Sequence, residues 1–161
     1  MGFLDGHAGD TTHPASQDSK PSKVTDSLTL PATLDNLQPL LDFIHTEVDK
    51  HHCPLSVRNK IDITFEEFFV NVCRYAYKGM EQPGLCYVEY SYTPNPHTIT
   101  VQLTDWGVPF DPLTRKDPTR PSSVQEAKIG GLGILMAKKC ADAIEYVHEG
   151  DKNVLVFKKS W

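Results

Sequence analysis

A chain of 161 residues is the size of one ordinary domain and long enough to bury a sizeable core. Hydrophobic residues make up 39% and charged residues 23%, which excludes a disordered chain. With 16 basic against 21 acidic residues the formal charge is −5, which argues against nucleic acid as a partner.

No apolar run approaches the roughly 18 residues of a membrane helix, and residues 1–22 lack the apolar core of a signal peptide. The expectation is a cytoplasmic protein without membrane association. The four cysteines, at 53, 73, 86 and 140, form no C-x-x-C pair and read as reduced thiols.

Residues 1–23 are polar, rich in Gly, Pro, Ser and Thr, and aperiodic, so they read as a flexible tail ahead of one domain at 24–161. His7 and His13 in that tail lack the spacing of a metal site and read as solvated residues. The run VTDSLTLP alternates as an opening strand. Leu34, Leu37, Leu40, Leu41, Ile44 and Val48 then recur at helical spacing, with Pro39 confined to the first turn and the start near Asp35 or Asn36. His51, His52 and Cys53 follow; adjacent residues do not face one another on a helix, so a structural role is expected and no zinc site.

A second helix, at about 56–78, carries Val57, Ile61, Phe65, Phe68 and Val72 on one stripe. Strands at 87–93 and 97–105 flank the turn Pro94-Asn95-Pro96. Residues 106–129 hold four prolines and many polar residues, a functional or mobile loop by its length. A third helix at about 132–143 and two strands around Gly150-Asp151-Lys152 close the chain. This order predicts a two-layer α/β sandwich: a mixed, mostly antiparallel sheet of about five strands with three helices on one face.

Three segments carry chemistry. Glu67 and Asn71, four apart, project from one side of the second helix, whereas Glu66 lies about 140° from Asn71. An amide oxygen suits magnesium, and a carboxylate beside it suits a proton acceptor. Asp105-Trp106-Gly107-Val108-Pro109 ends an apolar strand: an ionised Asp is acceptor-only and can read the exocyclic amine of adenine, and Gly107 lets backbone approach a flat ring. Lys128-Ile129-Gly130-Gly131-Leu132-Gly133-Ile134 leads into the third helix, where exposed backbone N–H groups and the helix dipole can cradle phosphates. Neither a dinucleotide-binding G-x-G-x-x-G nor a P-loop is present there.

Taken together, these residues resemble a known family. The stretch from Glu67 and Asn71 to Tyr75-Ala76-Tyr77 resembles the N-box of the gyrase, histidine-kinase and MutL (GHKL) superfamily, Asp105-Trp106-Gly107 its adenine box, and Gly130-Gly131-Leu132-Gly133-Ile134 its second glycine box. "V-P-F-D-P", "I-G-G-L-G-I" and the closing "K-N-V-L" are most similar to the bacterial anti-sigma-factor serine/threonine kinases. The resemblance covers nearly all of residues 25–160 and implies a Bergerat ATP-binding fold.

By position it implies Glu67 as general base, Asn71 as magnesium ligand, Asp105 on the adenine amine and Gly107 beneath the ring. Gly130, Gly131 and Gly133, with Leu132 and Ile134 between and after them, would embrace the phosphates as a lid closes. Three positions depart from the family. The last glycine of D-x-G-x-G is Pro109, the usual histidine after the Asn is Tyr75, and a threonine of the final strand is replaced by Val156, removing a hydroxyl from beside the adenine.

The implied function is phosphoryl transfer from magnesium-ATP to a serine or threonine of a STAS-domain antagonist, with sequestration of a sigma factor as a second role. Homodimerisation is implied by the family alone. A nucleotide-gated binding module without turnover competes. The catalytic domain of a histidine kinase would need a preceding dimerisation helix, for which the tail is too short. An interaction domain without nucleotide is separable by titration, because Asp105 should accept ATP and reject GTP, which has no 6-amine.

Overall fold

The alternating and helical patterns fold as a sheet with helices packed on one side. The structure, a computed structural model, describes residues 24–114 and 131–161. The expected tail, with His7 and His13, and Gly130 lie outside the described residues, as does most of the long loop. Strand β1 is Val24–Pro31, helix α1 Leu37–Lys50 and helix α2 Leu55–Asn71, which runs on into a π-helical turn, Val72–Ala76. Strands β2 (Leu85–Pro94) and β3 (His97–Asp105), helix α3 (Leu132–Cys140), and strands β4 (Ala143–Glu149) and β5 (Lys152–Ser160) complete it. No helix among the described residues is long and apolar enough to cross a membrane.

The sheet order is β1-β2-β3-β5-β4. All four pairings are antiparallel, so the sheet expected to be mostly antiparallel is entirely so. The last hairpin enters with β5 inside, beside β3, and leaves β4 at the edge. Its turn is sharp enough to require positive φ at Gly150 (64°), where a side chain would be strained.

Register decides what faces the helices. The inward rungs read Val88–Leu103–Leu155–Tyr146 and Tyr90–Val101–Phe157–Ile144 across β2, β3, β5 and β4. The next rung, towards the end of β3, reads Cys86–Asp105–Asn153–His148 and is where the core turns polar. Against the apolar rungs pack Leu40, Ile44 and Val48 of α1 and Ile61, Phe65, Phe68 and Phe69 of α2, all buried. The predicted helical stripes are therefore the core faces, except for Leu34, which precedes α1 and is exposed.

The second helix, expected to continue to residue 78, keeps its α ladder only to Asn71. The wider turn that follows lets the carbonyl of Ala76 accept the Val108 N–H at 2.8 Å, a bond from helix to the loop after β3. Turns of this kind are rare and recur at functional sites.

His51 has the structural role expected of it. The His51 ring stacks on Tyr92 with centroids 3.6 Å apart, and its Nε2 bonds the buried Glu47 at 3.0 Å. The described residues contain no group of three or more His, Cys, Asp or Glu side chains that could hold a metal. All four cysteines are free thiols.

Candidate functional site

Helix α2 divides two concave regions. On one side, Phe68, Asn71, Val72 and Tyr75, spaced three and four apart, face a cleft closed by Leu103 and Asp105 of β3, Asn153 and Leu155 of β5, Tyr146 of β4, and Val108, Phe110 and Pro112 of the loop. Apolar walls with a few polar groups converging from different elements are the ordinary make-up of a small-molecule site. On the other side, Ile63, Glu66, Glu67, Val70 and Arg74 form an open groove with Gly133 and Met136 of α3.

The Glu67–Asn71 pair joins the two regions. The Asn71 Nδ2 donates to Glu67 Oε1 at 3.3 Å, and the Asn71 amide oxygen has no partner among the described residues. Asn71 lines the cleft and Glu67 the groove, and their hydrogen bond spans the boundary. Glu66 borders the groove and not the cleft, as its helical angle requires.

Asp105 is the polar centre of the cleft. The inward-facing period of β3 brings its carboxylate beneath the helix layer, where only 7% of the residue is exposed. Burial, the largest influence, raises its pKa above the ordinary 3.8; hydrogen bonds from Asn153 and the Gly107 N–H, and the nearby His148, act the other way. Asn153 Nδ2 donates to Asp105 Oδ1 at 2.8 Å and the Gly107 N–H to the same oxygen at 2.9 Å.

The turn that follows is held from behind. The Trp106 N–H donates to the Tyr77 hydroxyl at 2.9 Å, and that hydroxyl donates to the Leu85 carbonyl at 2.5 Å. Gly84 leaves room for the Tyr77 ring, because a Cβ there would collide with it. Gly107, expected beneath a bound ring, has its bare Cα against the backbone of Ala76 and is not part of the cleft wall. Its missing side chain serves the contact between turn and helix.

The glycine segment is divided. Gly131 precedes α3, and its carbonyl accepts the first helical bond, from Leu135 N–H at 3.1 Å. Leu132 is exposed, while Ile134 is buried, so any phosphate contact at Ile134 would be made by its backbone. Gly133 sits beside the Glu67 carboxylate, on the groove side. Asn71 and Asp105 thus share the cleft; Gly131 and Gly133 border it from neither wall.

Three residues that complete the site, Asn153, Tyr146 and Tyr77, were not among the sequence candidates. The threonine position of the final strand was assigned to Val156, but Val156 pairs with Gln102 on the sheet face away from the helices. The polar residue beside Asp105 is Asn153, its direct register partner. Strand alternation carries that signal: Asn153, Leu155 and Phe157 form one inward set opposite Asp105, Leu103 and Val101.

Two consequences are measurable. A carboxyl whose pKa is raised by folding is held more tightly by its proton in the folded state, so its ionisation lowers stability as pH rises from 3.8 through the raised value. Asp105→Asn should therefore raise the melting temperature of the ligand-free protein at pH 7. That gain should shrink as pH falls through the raised pKa and vanish below 3.8, while ATP affinity drops by about 10–100-fold at pH 7. The glycines should differ from each other. A Cβ at Gly107 meets the Ala76 backbone, which cannot yield, so Gly107→Ala should cost on the order of 1–3 kcal/mol by denaturant titration. The atoms nearest a Cβ at Gly133 are all at the far end of the flexible Glu67 side chain, so Gly133→Ala should fold as well as wild type and act by displacing Glu67.

Comparison with known proteins places this geometry. Residues 30–159 match the histidine kinase-like ATPase domain. The structure resembles that of the RsbU and RsbW domains of Rv1364c from Mycobacterium tuberculosis, with a TM-score of 0.59 and 14% identity over 86% of this chain. This chain spans about a third (33%) of that one. It also resembles the SiaB-SiaC complex from Pseudomonas aeruginosa, with a TM-score of 0.56 and 11% identity over 84% of this chain and 89% of the other. No curated protein matches. With the family matched over most of its length and the two-layer architecture in place, the chain belongs to the histidine kinase-like ATPase domain family.

Proposed function

We propose that this protein is an ATP-dependent serine/threonine protein kinase of the anti-sigma-factor type, acting on a STAS-domain partner. Membership of the family implies ATP binding. The observation that carries the kinase reading is the Glu67–Asn71 pair, with an apolar-walled cleft on the Asn71 side and an open groove on the Glu67 side. A donor nucleotide in the cleft and an acceptor side chain in the groove would meet at this hydrogen-bonded pair, on one face of α2.

The residues present fit magnesium-ATP. Asp105 accepts the adenine amine, with Tyr146 and Phe68 among the apolar walls. Asn71, its amide nitrogen bonded to Glu67, offers a carbonyl oxygen, without a partner among the described residues, of the kind that magnesium takes. When bound, the ion neutralises charge on the phosphates. Glu67 accepts the proton of the incoming hydroxyl, whose oxygen bonds to the γ-phosphorus as the bond to the bridging oxygen breaks and ADP leaves. The backbone of Gly130, Gly131 and Gly133 is assigned to the phosphates on the strength of the family resemblance, and sequestration of a sigma factor and homodimerisation are carried forward on that ground too.

A nucleotide-gated binding module is the second reading, favoured by one observation: the Glu67 carboxylate is already engaged by Asn71 and abuts Gly133. One experiment separates the two. Pure protein is mixed with ATP, magnesium and a STAS domain, and phosphoserine or phosphothreonine is followed by mass spectrometry. Transfer by the wild type that falls by about 10²–10⁴-fold in Glu67→Gln, with ATP affinity kept, is the kinase result. Absence of phosphorylation, with partner binding that responds to ATP equally in both proteins, is the binding-module result.

A further inference from the structure

Asp105 distinguishes adenine from guanine only while it offers acceptors to the base. What keeps it so comes from the edge of the sheet. Asn153, 5% exposed, donates from Nδ2 to Asp105 Oδ1 at 2.8 Å and to the carbonyls of Gly107 at 3.3 Å and Val108 at 3.2 Å. At its other end, Oδ1 accepts the Tyr146 hydroxyl at 2.8 Å and lies 3.1 Å from His148 Nδ1.

The two ends of a carboxamide have nearly the same shape, so its orientation is decided by what surrounds it. Three acceptors surround one end of Asn153 and two donors the other, provided that Tyr146 keeps its proton. Burial raises the Tyr146 pKa, which preserves the hydroxyl as a donor. His148 Nδ1 then carries the proton that faces Asn153.

We propose that Tyr146 and His148, on edge strand β4, are positioning residues for base selectivity: by orienting the Asn153 amide they hold Asp105 as an acceptor, so that the cleft takes adenine and rejects guanine nucleotides. The proposal rests on the reading of the cleft as an ATP site. Without the two donors the amide oxygen is left unpaired and the side chain is held at its nitrogen end alone, so the 2.8 Å bond to Asp105 is held less firmly. With its charge less well stabilised, Asp105 takes up a proton on its other oxygen, which has no protein partner among the described residues, and from there it can donate to the 6-oxo group of guanine. Selectivity is then lost although Asp105 is still present.

Equilibrium titration with ATP and with GTP, at pH 7 and without partner, tests this in wild type, Tyr146→Phe and Tyr146→Phe/His148→Ala. The single change keeps the ring and removes only the hydroxyl. The wild type should prefer ATP. Tyr146→Phe should lower the ATP:GTP affinity ratio about fivefold, the worth of one neutral hydrogen bond, and the double variant should lower it further. An unchanged ratio in folded Tyr146→Phe, or equal weakening of both nucleotides, overturns the proposal. Should the double variant fail to melt cooperatively, the single variant decides. Wild type that binds neither nucleotide overturns the ATP-site reading as well, so the two failures are distinguishable.

Discussion

A carboxylate carried to the helix-covered end of a central strand is the constraint around which the rest of this molecule is arranged. Asp105 is buried at a cost, because desolvation disfavours its charge. The fold offsets that cost locally, with the Asn153 amide and the Gly107 N–H on one oxygen. The other oxygen has no protein partner among the described residues, and it belongs to a side chain that lines the cleft. A protein built for stability alone would put an apolar residue at this rung, like the two apolar rungs above it. Keeping a partly satisfied acid there makes sense as preorganisation for a ligand that brings its own donor.

Helix α2 is the second organising element. Its inward stripe, through Ile61, Phe65 and Phe68, is anchored in the core, which fixes the helix against the sheet. Its flank carries Glu67 and Asn71 at the boundary between cleft and groove. Its π-helical end is tied to the adenine-box turn by the Ala76–Val108 hydrogen bond and the close approach of Gly107, and Tyr77 just beyond it holds the Trp106 N–H. The cleft and the groove are thus both attached to a single rigid rod. A change at either end is felt through backbone contacts that leave little room for adjustment.

The sequence was most legible where periodicity reports burial. Leu40, Ile44 and Val48 at helical spacing and Val101 and Leu103 at strand spacing all lie in the core, and the order of elements suffices for the two-layer class. Asn71 and Asp105 were legible as a pair because the motifs that contain them sit on elements that do share a cleft. What escaped was set by register and close approach. Asn153 shares a rung with Asp105 across β3 and β5 but lies 48 residues away in the chain, and resemblance along the motif points to Val156, which lies on the opposite face. Gly107 was explained by a ligand, whereas the contact that excludes a side chain is with Ala76, a neighbour that only the folded helix supplies. Gly130 lies outside the described residues, and the phosphate role of its segment stands on resemblance.

The most direct test of the central claim is a crystal structure of the protein with magnesium and a non-hydrolysable ATP analogue. The account requires the adenine in the cleft, its 6-amine within hydrogen-bond distance of Asp105, and the metal on the side-chain oxygen of Asn71. A nucleotide bound elsewhere, or a base in the cleft that makes no contact with Asp105, would contradict it.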